Sequence, residues 1–289
     1  MTATVYDLHC HSTASDGTLT PSALVARAIQ RGVDYLAITD HDDTSGLAEA
    51  HQASAGTSLS IIDGVELSTV WERRTVHVVG LFLDAASPVL QEALTAVRTA
   101  RRQRGEAIAE ALARAGIGGA LEGARRFVTN EALISRSHFA RFLVEQKHVS
   151  GKQKAFDRYL GQGKPAHVPS HWPAFSESVA LLHAAGGVAV LAHPGRYPLT
   201  DTAMRRLLDD FRDCGGNAIE VFSPSHTPQQ SERFIEYARF YGFKASLGSD
   251  FHDPEESHID LGALPPLPPG LTPVWSLQEH AGIMRGAWT

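Results

Sequence analysis

Asp7-Leu8-His9-Cys10-His11 closes a short apolar run beginning at Thr4, and the reading of the whole chain turns on it. Alternate residues on a strand share a face, so His9 and His11 can converge on one point while Cys10 points away. The pair gains meaning because the pattern recurs. Thr39-Asp40-His41-Asp42 ends a second apolar run, Tyr35 to Thr39; Glu66 follows a third, Ser60 to Val65; His77 lies in a fourth, Val76 to Leu83. His193 follows a fifth, Val188 to Ala192, Glu220 lies in a sixth, Ala218 to Phe222, and Asp250-Phe251-His252 follows a seventh, Ala245 to Gly248.

Between most of these runs lie helical patterns with start signals: Thr20-Pro21 before Ser22 to Arg31, Thr44 before Ser45 to Ala55, and Ser176 before Glu177 to Ala185. Apolar runs without strict alternation suit strands covered on both faces, and their alternation with helices predicts a parallel sheet closed into an α/β barrel of about seven strands. Functional residues then belong at the carboxyl ends of the strands. From Pro88 to Pro169 the rhythm gives way to Ala- and Arg-rich helical sequence. The expected organisation is a first barrel part at 1–87, an inserted small helical domain or cap at 88–169, and a second barrel part with the tail at 170–289. The stretch Leu264-Pro-Pro-Leu-Pro-Pro-Gly270 is too proline-rich for a helix or central strand and is expected to pack as an extended tail.

The composition excludes several classes. A chain of 289 residues with 43% hydrophobic and 20% charged residues is neither disordered nor fibrous. A net charge of -6 argues against a broad footprint for duplex DNA, so a nucleic-acid substrate is expected to be short or bound by its end. Cys10 and Cys214 are the only cysteines, which suits a reducing cytoplasm and no disulfide framework. Neither a signal peptide nor 18 consecutive apolar residues occurs, so neither export nor a membrane span is expected. No obligate protein partner is evident. The histidines number 15, and six of them, His9, His11, His41, His77, His193 and His252, fall in or beside these apolar runs.

Nine residues stand as candidate metal ligands: His9, His11, Asp16, His41, Glu66, His77, His193, Asp250 and His252. Mixed imidazole and carboxylate donors without a cysteine cluster suit manganese, iron or zinc, and nine donors imply two or three divalent ions.

In order, these motifs resemble those of the PHP family, named for polymerase and histidinol phosphatase: a His-x-His, a Thr-Asp-His turn, a Gly-x-Glu, an Ala-His-Pro and an Asp-x-His. The resemblance covers roughly residues 5 to 85 and 170 to 255. It implies a distorted (β/α)7 barrel with a trinuclear site. One ion would be held by His9, His11, Glu66 and Asp250, a second by Glu66, His77 and His193, and a third by Asp16, His41 and His252, with manganese expected. The long insertion resembles that of a small bacterial subgroup acting on 3′,5′-nucleoside bisphosphates and RNA 5′ ends.

Charge counting leads to the same chemistry. Three carboxylates against three divalent ions leave about +3 locally, so an anion should bind. Water activated by the cations can then attack phosphorus in line, which is phosphoester hydrolysis. Glu66, His193, Asp250 and His226 form the expected catalytic set, His226 as general acid or phosphate ligand. In the cap, Arg136, His138, Lys164 and His167 are the expected substrate-binding residues, Arg136 gripping a second phosphate bidentately. The basic run Arg98, Arg101, Arg102 and Arg104 is read as a solvated or internally paired helix face, and the remaining histidines, His258 among them, as surface or packing residues. The predicted activity is hydrolysis of the 3′-phosphoester of nucleotides bearing a 5′-phosphate, including short RNA. The alternatives are a histidinol-phosphate phosphatase and a non-catalytic metal-binding module.

Overall fold

The computed structural model describes residues 4–128, 130, 133–169 and 172–277. Its elements run β1 (Tyr6–Asp7), α1 (Pro21–Gln30), β2 (Tyr35–Ile38), α2 (Leu47–Ser54), β3 (Ser60–Trp71), β4 (Arg74–Leu81), α3 (Pro88–Arg114), α4 (Ala120–Arg125), α5 (Arg136–Glu145) and α6 (Lys152–Ala155). They continue with α7 (Phe175–Ala184), β5 (Val188–Leu191), α8 (Asp201–Asp213), β6 (Ala218–Phe222), α9 (Pro228–Tyr241) and β7 (Lys244–Leu247). The helix starts follow local chemistry. The hydroxyls of Thr20, Thr200 and Thr227 accept hydrogen bonds from the backbone N–H groups of Ala23, Ala203 and Gln230, satisfying donors that a helix leaves unpaired at its N-terminus.

The seven strands form one mixed sheet in chain order. Its edges meet: Leu8 N–H donates to the Leu247 carbonyl (3.1 Å), Asp250 N–H to that of His9 (2.8 Å) and His11 N–H to that of Phe251 (2.8 Å). The result is a distorted (β/α)7 barrel. The distortion corrects the expectation of a purely parallel sheet, because β4 runs antiparallel to both β3 and β5. Glu72 and Arg73 make the β3–β4 turn with positive φ, 42° and 65°, as a tight hairpin of matching twist requires. Neither residue advertises such a turn, so the sequence reading ended the third strand at Val65. In fact β3 spans 12 residues and Glu66 lies near its middle.

Strand parity sorts the core. Leu8, Ala37, Ile62, Val79, Val190 and Ala218 meet inside the barrel. Leu36 and Ile38 face the opposite way, packing with Leu24, Val25 and Ala28 of α1. Val65, Leu191 and Ile219 likewise pack outward with residues of α7, α8 and α9. Helix α3 serves two cores: Leu90 and Leu94 pack with the barrel, whereas Ile108 and Leu112 join Phe139, Leu143 and Leu160 in a separate helical cluster. Within the proline-rich stretch Leu267 packs partly buried against the outer core, as expected, and the residues after it dock more deeply. Pro273 bridges to Ala245, Trp275 stacks on Tyr6 at 3.9 Å, and Val274 is fully buried in the barrel interior, at the end opposite the histidines.

Candidate active site

The parity that aims Ile62 inward also aims Glu66 inward, and His77 shares its face with Val79. Glu66 is the hub. Its Oε1 lies 2.8 Å from His77 Nδ1 and 2.9 Å from His193 Nε2. Its Oε2 lies 2.9 Å from His41 Nδ1, 3.3 Å from His11 Nε2 and 3.4 Å from His9 Nε2. Asp250 Oδ1 is 3.3 Å from His11 Nε2 and 3.6 Å from His9 Nε2, while Asp16 Oδ1 is 3.3 Å from His252 Nε2.

These spacings suit cations. Ligand atoms about 2.1 Å from one ion sit roughly 3.0–3.4 Å from each other in octahedral or tetrahedral arrangements. Four sets of donors are close enough to hold an ion: His9, His11 and Asp250; His9, Glu66 and His193; His41, Glu66 and His77; and His11, Asp16, His41 and His252. All nine candidates fall within them. The sets overlap more than the three-way division implied by the resemblance, since His41 approaches both Glu66 and the Asp16–His252 pair.

The donors fit metal better than they fit one another. Asp16 Oδ1, His41 Nδ1, Glu66 Oε2 and His193 Nδ1 are buried without a well-aligned hydrogen bond despite the short contacts among them, and an unpaired buried polar atom costs about 1–3 kcal/mol. Charge states divide the imidazoles: beside uncompensated carboxylates His9, His41 and His252 are raised, whereas His11 and His77 are lowered. Burial depresses His11 to about 3 and His77 to about 4, leaving the neutral imidazoles that ligate metal. Burial works against ionisation of Glu66, but His41, His77 and His9 outweigh it and hold the carboxyl well below its usual range. Burial likewise works against a charged His252, yet Asp16 lifts it to about 9.

A second ring of carboxylates holds the donors in place. Glu220 Oε1 lies 2.6 Å from His9 Nδ1, and its Oε2 accepts the His193 backbone N–H at 2.6 Å, so one buried side chain orients two candidate ligands. Asp40 accepts from the Ser12 backbone (2.8 Å) and from the hydroxyls of Ser12 and Ser15 (both 2.6 Å), fixing the loop between His11 and Asp16. Asp7 accepts from the backbone of Ser249 and Gly262, both at 2.9 Å, tying β1 to the segment after β7. Positive φ at Asp42 (50°), His193 (30°) and Asp250 (45°) marks strained backbone beside the donors. Gly248 has no room for a side chain: a Cβ there would sit 2.1 Å from His9 Cβ.

Beside the donors opens a cleft of about 520 Å³. Asp16, His41, His77, Asp250 and His252 line its floor, and Arg101, Arg104, Arg136, Arg141, Lys152 and Trp172 its wall. Arg136 is thus where the sequence reading wanted it, but most of its companions differ. The basic run is internally paired at Arg98 and Arg101 and solvated at Arg102, as expected, but Arg101 and Arg104 also line the cleft. Arg101 is 6% exposed, donates to Asp42 (Nε–Oδ2 2.7 Å) and to Ser68 Oγ (2.8 Å), and stacks on Trp172 at 4.7 Å. Arg104 donates to the Val168 carbonyl at 3.0 Å, and burial together with Arg136 and Arg101 lowers its guanidinium to about 9. Helical spacing placed these two on one inward face, which composition alone did not reveal.

Other expectations fail on geometry. Lys164 is exposed in the turn that follows Gly161 and does not line the cleft. His138 is buried, and its Nδ1 accepts from the Ser135 backbone at 3.0 Å, so it caps α5 from behind the wall. His167 is half-buried outside the cleft lining, its imidazole lowered by burial, Arg136 and Arg104. His226 does not line the cleft. Its Nε2 accepts the Gly195 N–H (3.0 Å), and its Nδ1 lies 3.4 Å from the Val221 carbonyl, so both ring nitrogens are engaged in bracing two loops. His258, read as an ordinary surface residue, lines the cleft, as does Arg196.

Imidazoles and carboxylates gathered at strand ends beneath a wall of guanidinium groups mark the class of barrel hydrolases that process anionic substrates with bound cations. The PHP domain family model matches residues 7–105. Along nearly its whole length the chain is similar to a 3′,5′-nucleoside bisphosphate phosphatase of Chromobacterium violaceum, 44% identical over 97% of this chain and 98% of that one. It is 45% identical to the 5′-3′ exoribonuclease Rnm of Escherichia coli, over 96% and 95% of the two chains. A solved Chromobacterium violaceum structure, described as an amidohydrolase with bound sulfate and no metal, superposes with a TM-score of 0.90 over 95% of this chain and 96% of that one, at 44% identity. A Bifidobacterium adolescentis structure described as a metal-dependent phosphoesterase gives 0.79 over 96% of each chain, at 29% identity. The chain belongs to the PHP family.

Proposed function

We propose that this protein hydrolyses the 3′-phosphoester of nucleotides that carry a 5′-phosphate, releasing phosphate from 3′,5′-nucleoside bisphosphates and trimming short 5′-phosphorylated RNA. The observation that carries this reading is one cleft with two faces, a floor of clustered donors that would draw anions once cations are bound and an arginine wall. The names of the two most similar relatives described above support both substrates.

His9, His11, Glu66 and Asp250 would hold one ion, Glu66, His77 and His193 a second, and Asp16, His41 and His252 a third, with manganese the first choice. Such ions, when bound, supply an activated water and neutralise charge developing on the phosphoryl group. The chain's own residues do the rest. Glu66 offers one oxygen to each side of the floor and so couples the two halves. Glu220 keeps the His9 ring turned toward Glu66 and Asp250. Arg104 and Arg136 anchor the second phosphate, and the indole of Trp172 backs Arg101 and Arg104 in the wall. A cationic amino alcohol such as histidinol would meet the same arginines as repulsion, which disfavours that alternative.

In this reading residues 88–169 act as a cap on the barrel made by 1–87 and 170–289. The thiols of Cys10 and Cys214 are free, which accords with a cytoplasmic location. Among the described residues, no helix is long and apolar enough to cross a membrane.

A manganese-supplemented phosphate-release screen tests the proposal with 3′,5′-adenosine bisphosphate, 3′-AMP, histidinol phosphate and 5′-phosphorylated oligoribonucleotides. The bisphosphate should outperform 3′-AMP by at least tenfold in kcat/KM. Equal turnover of the two would remove the role given to the arginine wall.

A further inference from the structure

We infer that a second groove, on the cap next to the cleft, binds the backbone of single-stranded RNA beyond the nucleotide being cleaved; this rests on the reading just given. The chain as a whole carries -6, but residues 88–169 hold 14 arginines and lysines against 7 carboxylates. Part of that excess lies around a groove of about 790 Å³ lined by Lys147, His148, Lys154 and Arg158 among others.

The groove cations outnumber the anions beside them. On the barrel, Arg27 pairs with Asp260, Arg206 with Glu72, and Arg205 and Arg233 with Asp201. Among the described residues, Lys147, Lys154 and Arg158 have no carboxylate within ion-pair distance. Asp157, the carboxylate in the groove lining, accepts from Gln153 at 3.0 Å and keeps its charge, so three cations against one anion leave the groove net positive. Like charges gathered with too few counter-charges repel one another, and a polyanion relieves that repulsion.

Cleft and groove draw on the same two helices. On α5 Arg141 lines the cleft and Val144, three residues on, the groove; on α6 Lys152 lines the cleft and Lys154 the groove. A strand whose first nucleotide lies over the floor can therefore leave past Arg141 and Lys152 onto Lys154, Lys147 and Arg158. Phosphate contacts of this kind impose no sequence preference.

The test compares wild type with K147E/K154E/R158E, all exposed positions, in the manganese-loaded protein. Binding is read by fluorescence anisotropy with a labelled 5′-phosphorylated ten-mer whose 2′-O-methyl phosphorothioate backbone resists cleavage, which keeps the measurement independent of turnover. The triple variant should bind the ten-mer at least about tenfold more weakly, with the salt slope of log K reduced by about 0.7 for each phosphate it no longer neutralises. Its melting temperature and bisphosphate kinetics serve as controls. Unchanged ten-mer affinity in the variant, or a wild type that binds the ten-mer no better than a dinucleotide, overturns the groove. Failure to hydrolyse any phosphoester, with the ten-mer result intact, would instead overturn the proposed activity.

Discussion

The floor and the wall of the cleft face each other yet are assembled by different rules. The floor takes its donors from strand ends of the barrel, where the hydrogen-bonded sheet fixes each Cα, and a ring of carboxylates on neighbouring segments fixes each side chain. The wall takes its guanidinium groups from α3 and α5, helices whose apolar faces pack largely in a core of their own. Arg101 is the exception that joins them. It reaches from α3 to Asp42, one residue past His41, and to Ser68, two residues past Glu66. Floor geometry is thus a property of the sheet, and wall geometry a property of helix docking.

That difference can be broken from either side. Replacing a floor donor, His9→Ala or Asp250→Ala, should abolish phosphate release and lower bound manganese, measured by elemental analysis; retention of either would dissolve the floor assignment. Cutting the join should be the largest effect on stability. Asp42→Asn leaves the Arg101 charge buried without its partner, and loss of one member of a buried pair costs about 3–5 kcal/mol. Denaturant unfolding should show that loss, and a loss under about 1 kcal/mol would mean the join carries little.

Smaller effects sharpen the contrast. Glu220→Gln should weaken metal affinity about 10–100-fold by isothermal titration while the fold persists, the usual cost of removing a partner behind a ligand. An unchanged affinity would leave Glu220 as mere packing. On the wall, Arg136→Ala should raise KM for the bisphosphate about tenfold or more, the loss of a charge-assisted contact, with little change for 3′-AMP. Equal effects on both substrates would place Arg136 outside the second-phosphate site.

The smallest effect lies away from the cleft. His51 Nε2 lies 2.6 Å from Asp63 Oδ1, and that hydrogen bond, more than burial opposes it, lifts the imidazole above its ordinary 6.5. A raised folded-state value means the protonated pair stabilises the fold below pH 6.5 and the contribution fades as pH rises through the folded value. His51→Ala should therefore cost more at pH 6 than at pH 9, a difference thermal melts at the two pH values can read.

The same contrast explains what could be read from the residues alone. The nine floor donors were legible because strand periodicity and strand-end placement are local properties, carried by motifs such as Asp7-Leu-His-Cys-His11. Glu220, a lone carboxylate in an apolar run, was noticed without its role, since only the sheet shows it behind His9. The internal pairing of Arg101 follows the expectation, but the place of Arg101 and Arg104 in the cleft was hidden, because which face of a long helix turns inward is decided by distant packing on α3. His226 and His138 misled for the opposite reason: histidine near a site invites a chemical role, yet each satisfies backbone groups of nearby loops and turns. The antiparallel β4 escaped because the Glu72-Arg73 turn carries no glycine or asparagine to announce it.

The seam between β1 and β7 reaches beyond chemistry. His9 and His11 stand near the start of the chain and Asp250 about 240 residues later, so a cation gripping all three would act as a cross-link between the chain's two ends. Loop-closure entropy grows with the logarithm of the enclosed length, by about 0.6 kcal/mol per doubling, and this loop encloses most of the molecule. Such an ion would staple the barrel shut as well as serve its reaction, and chelation would be felt first as an opening of that seam.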